Sequence, residues 1–321
     1  MDVLSEVLRS VKLQGALFFN GEFSSPWCLH NSGMAGLAPH VTADPEHLII
    51  YHFLTDGTAY ASLPDGQRME LAPGDIVVFP HGDAHLLGNG SHVKPIDSIK
   101  TFSKAGEGLR LVKFGGGGEL TKFVCGFLAC EPQLSEVFLA GLPPILKVNV
   151  LDEPSGQWLA QSIRFSVDET NELNAGSGLV TTKLAELLFV ETLRRYINAL
   201  PSEEIGWLAG ARDEAVGRAL ALLHKEPSEP WTIAELSRRV GLSRTRLAER
   251  FTHFIGESPM AYLTRWRLKL AADILQSTDD SAAEVAVAVG YESEAGFNRA
   301  FKREFGDPPA QFRKKRRAAT V

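Results

Sequence analysis

Cysteine is scarce in this 321-residue chain, with three in all. That odd and small number excludes a disulfide-stapled scaffold and suits a reducing cytoplasm. Long apolar runs are absent too, and nothing approaches the roughly 20 residues that a membrane-spanning helix needs. The opening MDVLSEVLRSVKL has an amphipathic helical pattern interrupted by Glu6, Arg9 and Lys12, so a secretory hydrophobic segment is not expected there. With 44% hydrophobic and 22% charged residues, the composition is that of a soluble globular protein. Its length is long for one core and comfortable for two domains.

Charge of one sign does not dominate either, but its distribution is uneven. Residues 211–321 hold 19 Lys and Arg against 15 Asp and Glu, while residues 1–210 hold 14 against 24. A net charge of −6 therefore hides a basic C-terminal part, as expected of a segment that approaches nucleic acid. The closing run Arg313, Lys314, Lys315, Arg316, Arg317 reads equally as a phosphate-tracking tail or as a solvated one.

That basic part says almost the same thing twice. IAELSRRVGLSRTRLAERFTHFIGESP and AAEVAVAVGYESEAGFNRAFKREFGDPP each run from helically spaced apolar residues through a glycine, Gly241 or Gly290, into a second amphipathic helix. Both end in Gly-x-x-Pro, Gly256 to Pro259 and Gly306 to Pro309. Each copy predicts a helix-turn-helix. Between them Leu263, Trp266, Leu270 and Ile274 make the apolar stripe of one spacer helix. In the first reading helix Leu247, Phe251 and Phe254 point inward, leaving Thr245, Ala248, Glu249 and Thr252 outward, with Arg244, Arg246 and Arg250 on the flanks. In the second, Phe297 and Phe301 point inward and Glu294, Ala295, Asn298 and Arg299 outward. Asn reads adenine and Arg guanine bidentately, Glu accepts from cytosine, and flanking Arg holds phosphates. Two such helices about 34 Å apart reach successive major-groove segments.

Residues 211–317, and above all VGYESEAGFNRAFKREFGDPPAQFR, resemble the DNA-binding domain of AraC/XylS-type transcription regulators. The resemblance implies a seven-helix domain that binds asymmetric sites in double-stranded promoter DNA and activates transcription by touching RNA polymerase. Ala248 and Ala295 offer only methyl groups to the groove, so an operator sequence does not carry over.

The N-terminal half reads as β structure. GALFFN, HLIIYHFL, TAYASL, RMELA, DIVVFP, LRLVKFG and KFVCGFLA are short apolar segments split by Gly, Pro, Asp and Asn, as in a small barrel or sandwich. Gly74, Pro80, Gly82, His85 and Asn89 fit G-x5-P-x-G-x2-H-x3-N, which resembles the second motif of cupin barrels and implies that His85 faces the barrel interior. The companion H-x-H pair with a carboxylate is missing: His47 and His52 are five apart and point to opposite faces of one strand. The expectation is a barrel without metal, cofactor or catalytic residues. His52, His81 and His85 are the candidate ligands if a metal is held, in which case the chain reads instead as a metal-dependent cupin enzyme fused to a DNA-binding domain.

VLRSVKLQGALFF, SSPWCL, GDIVVFPHGDAH, FVCGFLAC, LPPILKV and LAELLFVETLRRYI look like the AraC-type subfamily with a cupin sensor. This implies an effector-responsive domain, with some members sensing oxidants through cysteine. Cys125 and Cys28, with His85 and His52, are the sensor candidates, and the effector is a small molecule or a reactive oxidant. Cys125 and Cys130 lie on opposite faces of a strand over 123–130, so a thiol switch would need Cys28 or a second subunit, and a buried cysteine also serves as a small hydrophobe. Segments 156–170 and 178–200 read as helices; Leu184, Leu187, Leu188, Val190 and Leu193 form a stripe for the barrel or for a twin helix in a homodimer.

The expected fold is α+β in two domains: residues 1–200 a cupin-like sensor and dimerisation barrel with flanking helices, 201–211 a linker, and 212–317 an all-α domain with two helix-turn-helix motifs. The expected function is a cytoplasmic regulator, an activator by resemblance.

Overall fold

The computed structural model describes residues 3–11, 13–41, 47–91, 93–102, 111–130, 132–170, 177–201 and 203–319. No helix among them is long and apolar enough to cross a membrane. The chain divides into two compact units, one of Leu13–Cys130 with Leu142–Tyr196 and the other of Met1–Lys12, Glu131–Gly141 and Ile197–Val321.

Among the described residues the first unit holds all the strands: β1 (Gln14–Ser24), β2 (Trp27–Asn31), β3 (Leu48–Asp56), β4 (Ala59–Ser62), β5 (Arg68–Leu71), β6 (Asp75–Phe79), β7 (His85–Asn89), β8 (Ile96–Asp97), β9 (Leu111–Gly115), β10 (Leu120–Ala129) and β11 (Leu146–Asn149). They form a six-stranded sheet in the order β11-β6-β3-β10-β1-β9 and a five-stranded sheet in the order β5-β4-β7-β2-β8. Strand parity explains the core between them, because successive side chains alternate faces. Ile50 and Leu54 of β3, Val77 and Phe79 of β6, Phe123 and Phe127 of β10, Trp27 and Leu29 of β2, and Leu87 of β7 belong to one buried cluster. Each expected β segment with an apolar run is a strand. The short β2, β8 and β11 were invisible as patterns.

Gly74 and its neighbours do what the cupin-like motif implies. Gly74 has φ +91°, a left-handed conformation that favours glycine, and its N–H donates to Leu54 O at 2.8 Å just before β6. Asn89 Nδ2 donates to Thr58 O at 2.8 Å, tying β7 to the turn before β4.

Helices α2 (Gly33–Val41), α3 (Ser98–Phe102), α5 (Pro154–Thr170) and α6 (Ser177–Ala199) as far as Tyr196 belong to this unit. The α6 stripe differs from expectation. Ala185, Leu188, Phe189 and Leu193 are buried, while Leu187 and Val180 are exposed and Leu184 and Val190 half-buried. Buried Glu191 bonds Arg195 Nε at 2.8 Å and Ser155 Oγ at 3.3 Å, which fastens α6 to α5.

The second unit is helical: α1 (Val3–Val11) and α4 (Pro132–Leu139) with α7 (Trp207–Arg212), α8 (Glu214–Lys225), α9 (Ile233–Val240), α10 (Arg244–Ile255), α11 (Pro259–Ser277), α12 (Ala282–Ala288), α13 (Glu294–Phe305) and α14 (Pro309–Ala319). The segment expected as a linker is helical from Trp207 onward, with Trp207, Leu208, Ala209 and Gly210 buried. The indole N–H of Trp207 donates to the Tyr262 hydroxyl at 2.8 Å, whose oxygen is hydrogen-bonded to His224 Nε2 at 2.7 Å. Apolar Trp and Leu gain more from this core than from water.

Candidate DNA-reading surface and barrel-interior site

Local sequence sets both reading motifs. Thr232, Ser243, Ser258, Ser281 and Ser293 each accept a backbone N–H at the start of α9, α10, α11, α12 and α13. Ser281 and Glu284 complete a reciprocal capping box. Such side chains satisfy donors that a helix start leaves unpaired. Gly290 turns the second motif at φ +84°, and a Cβ there would meet Ser228 O at 2.6 Å. Glycine is therefore required on two counts.

In α10, Leu247 and Phe251 are buried, while Arg244, Thr245, Arg246, Glu249, Arg250 and Thr252 are exposed and Ala248 half-buried. Phe254 is only half-buried; it lies in the last turn, where the helix leaves the core. Arg250 is not a free flanking cation. Its Nε lies 3.0 Å from both Asp213 carboxylate oxygens, and Asp213 also caps α8 through the N–H groups of Ala215 and Val216. Burial alone would raise the Asp213 pKa, but Arg250 and those N–H groups hold it below the usual carboxylate value.

In α13, Phe297 and Phe301 are buried and Glu294, Ala295 and Arg299 exposed. Asn298 is half-buried: its Nδ2 is 3.5 Å from Glu294 Oε1, and its Oδ1 is buried with no hydrogen-bond partner. An amide oxygen left unpaired this way has acceptor capacity to spare.

The spacer α11 is buried on more than one stripe. Tyr262, Leu263, Trp266, Leu268, Lys269, Ala271, Ala272 and Leu275 are all inside, whereas Leu270 and Ile274 are half-buried and pack on the second motif's core with Phe297 and Phe301. A helix touched from several sides does not show one clean period.

Within the barrel, three of the four sensor candidates meet. His52 on β3 lies opposite Cys125 on β10 in register, and parity aims both into the core. His52 Nδ1 is 2.6 Å from Cys125 Sγ, and its Nε2 is 2.8 Å from His85 Nε2 on the other sheet. His85 Nδ1 is 2.8 Å from Asp83 O, and its ring stacks on Phe79 at 3.6 Å between centroids.

With both rings neutral, the Asp83 carbonyl sets every proton. A carbonyl only accepts, so His85 Nδ1 donates and His85 Nε2 accepts from His52 Nε2–H. His52 Nδ1 is then left to accept the Cys125 S–H. Burial pushes His85 down to about 3. Burial, then the adjacent His85, hold His52 well below the usual imidazole value, and burial raises Cys125 well above the usual thiol value. All three groups are neutral at rest, and the thiol has a base already in line.

Cys28 is elsewhere. Its neighbours Trp27 and Leu29 face the core, so Cys28 faces the outer side of the five-stranded sheet, where the Tyr60 hydroxyl donates to its sulfur at 3.6 Å. His81 is also apart, with Nε2 3.1 Å from Leu142 O. Of the candidate metal ligands only His52 and His85 meet. They share a hydrogen bond, so their nitrogens are closer than two ligands on one metal would be.

A two-sheet barrel chain with a doubled helix-turn-helix defines a DNA-binding transcription regulator. Residues 2–198 match the family model described as cupin, and residues 236–315 match a helix-turn-helix domain model. An AraC-like transcription regulator of Streptomyces lividans is 30% identical over 98% of each chain. The regulator AlkR of Acinetobacter baylyi is 28% identical over 98% of this chain and 99% of its own. The RCS-specific activator RclR of Escherichia coli K12 is 28% identical over 98% of each. The chain belongs to the AraC-type transcription regulators with a cupin N-terminal domain.

Proposed function

We propose that this chain is a cytoplasmic promoter-binding activator whose barrel responds to a small two-electron oxidant through Cys125. The carrying observation is the buried row from Cys125 through His52 to His85. A core otherwise lined by Phe, Leu and Val gains little packing from two imidazoles, but the row gives the sulfur a proton acceptor in contact. With an oxidant X–OH, the sulfur lone pair takes the hydroxyl oxygen and the X–O bond breaks. The thiol proton passes through His52 to the departing X−, leaving a sulfenic acid and HX. This step consumes the thiol once, as a sensor does, without turnover. The name of the RCS-specific relative supports the same reading.

The reading positions proposed for DNA are Arg244, Thr245, Arg246, Ala248 and Glu249 on α10, and Glu294, Ala295, Asn298 and Arg299 on α13, with RNA polymerase as the downstream partner. A homodimer is supported by the apolar face of α5 and α6, where Trp158 is 59% and Phe165 68% exposed beside Val180 and Leu187. The sensing part is proposed to be the barrel with α5 and α6, and the reading part the helices from α8 onward.

Footprinting the purified protein on DNA upstream of its own and neighbouring genes, with and without mild hypochlorite at fixed salt, tests this. The expected result is a protected site whose affinity changes in oxidant, with that change lost in Cys125→Ser. A site indifferent to oxidant overturns the oxidant assignment and leaves the regulator.

A further inference from the structure

Strands β1 and β10 are neighbours in the six-stranded sheet, paired antiparallel from Gln14↔Ala129 to Ser24↔Leu120. The chain comes from α1 into β1 at Gln14 and goes from β10 into α4 after Ala129. Both connections therefore leave the same end of one strand pair. Neither helix belongs to the barrel unit: residues 1–12 and 131–141 are compact with the reading helices. α1 packs on α8, and α4 packs on α11 and α7. Ser135, Val137 and Leu139 of α4 are buried, as are Val3 and Val7 of α1.

One ion pair marks where α4 holds α11. Lys269 is a buried ammonium, 5% exposed, and its Nζ lies 2.5 Å from Glu136 Oε2. A buried ammonium depends on its counter-ion, so this contact is specific in place and register. It falls near the middle of α11. Tyr262 and Leu263, before it, lie in the half that meets α10, where Phe251 packs on Tyr262 with ring centroids 5.6 Å apart. Leu268, Ala271, Ala272 and Leu275 pack with Phe297 and Phe301 of α13.

We infer that Glu136 is a positioning residue for DNA reading: through Lys269 it sets how α11 holds the two reading helices α10 and α13 relative to each other. Because α4 follows β10 directly, with Cys125 four residues before the strand's end, a shift of β10 reaches the spacer helix through this contact. That second clause rests on the oxidant reading above; the positioning does not. The contact acts on the pair of reading helices, so its signature lies in two-segment sites rather than in binding as such.

The test uses the full chain and duplexes carrying either both protected segments or one segment with the other scrambled. In the wild type the second segment raises affinity. Glu136→Gln and Lys269→Met should each reduce that gain by about fivefold or more, the size of a typical coupling, while leaving single-segment affinity near wild type, in variants whose thermal melts show them folded at the assay temperature. Glu136 is mostly exposed, with 66% of its side chain open, and Gln keeps an amide oxygen that accepts from the Lys269 ammonium, so this substitution removes the counter-charge and keeps an acceptor. An undiminished two-segment gain in a folded Glu136→Gln protein overturns the positioning role. For the coupling, sulfenic acid formed at Cys125 is trapped and quantified beside the affinity. Normal trapping with a lost oxidant effect on affinity in Glu136→Gln supports coupling through α4, and normal trapping with an intact effect overturns it. A wild type without trapped sulfenic acid instead brings down the oxidant reading, and the two-segment comparison still decides the positioning.

Discussion

Cys125 points into the space between the two sheets, and Cys28 points out of it from the far side of the five-stranded sheet. Parity within a strand makes this difference permanent, since a sheet stands between the two sulfurs. A disulfide requires Cβ atoms within about 4.5 Å, so these cysteines do not pair in a folded chain. Oxidant-treated protein, digested without reduction and read by mass spectrometry, should contain no Cys28–Cys125 linked peptide within one chain. Cys28→Ser should keep any oxidant response that Cys125→Ser loses.

The buried imidazoles make stability depend on pH. His85 and His224 are both pushed down to about 3 by burial, while an unfolded chain holds histidine near 6.5. Between those values the unfolded state binds more protons, so stability is fully present above about pH 6.5 and falls as pH drops toward 3. Each such group contributes a slope of up to about 1.4 kcal/mol per pH unit in that window. Urea unfolding at pH 7 and pH 5 should show the loss, and His85→Gln should flatten the slope of the barrel transition. Equal slopes in the variant and the wild type would refute the assignment.

Arg250 and Arg246 should separate cleanly. Arg250 is held by the carboxylate that caps α8, whereas Arg246 is exposed on α10. Asp213→Ala should lower stability by about 1–2 kcal/mol, as for a lost cap, and Arg250→Ala should destabilise with little change in the salt dependence of DNA binding. Arg246→Ala should leave stability alone and lower the salt slope by about one if it neutralises a phosphate. Thermal melts and binding titrations at several salt concentrations check both.

Arg299 and Asn298 should differ as well. Arg299 is exposed, but Asn298 is half-buried with its Oδ1 turned inside. Arg299→Ala is expected to weaken specific binding by about 1–3 kcal/mol and relax the sequence preference, as for a lost bidentate base contact. Asn298→Ala should do so by less, unless its amide turns outward on DNA. Gel-shift titration of both variants against operator and scrambled duplex is the measurement; unchanged operator affinity in Arg299→Ala would remove it from the reading set.

Much of the reader was legible because its signals are local. Ser243, Ser258, Ser281 and Ser293 cap helices within three residues of themselves, and Gly241 and Gly290 end helices at positive φ. Leu247, Phe251, Phe297 and Phe301 follow the helical period into the core. The ion pair of Arg250 was not legible for the complementary reason: its partner lies 37 residues away, and exposure on a helix face says nothing about a carboxylate contributed by another segment. The α6 stripe splits for the same reason: Leu188 and Leu193 are buried and Leu187 is exposed, although one helical period runs through all three.

By itself, the sequence determined the doubled helix-turn-helix and the turn around Gly74, because capping, turn conformation and side-chain period act within a few residues, while the inward aim of His85 came from the resemblance to cupin barrels. Only the tertiary structure brought His52 to His85 across 33 residues and to Cys125 across 73, turned Cys28 away from them, and gave α1 and α4 to the reading unit. Periodicity tells a side chain which face of its own element it takes. Which element that face then meets is set by how whole sheets and helices bury their apolar surfaces together.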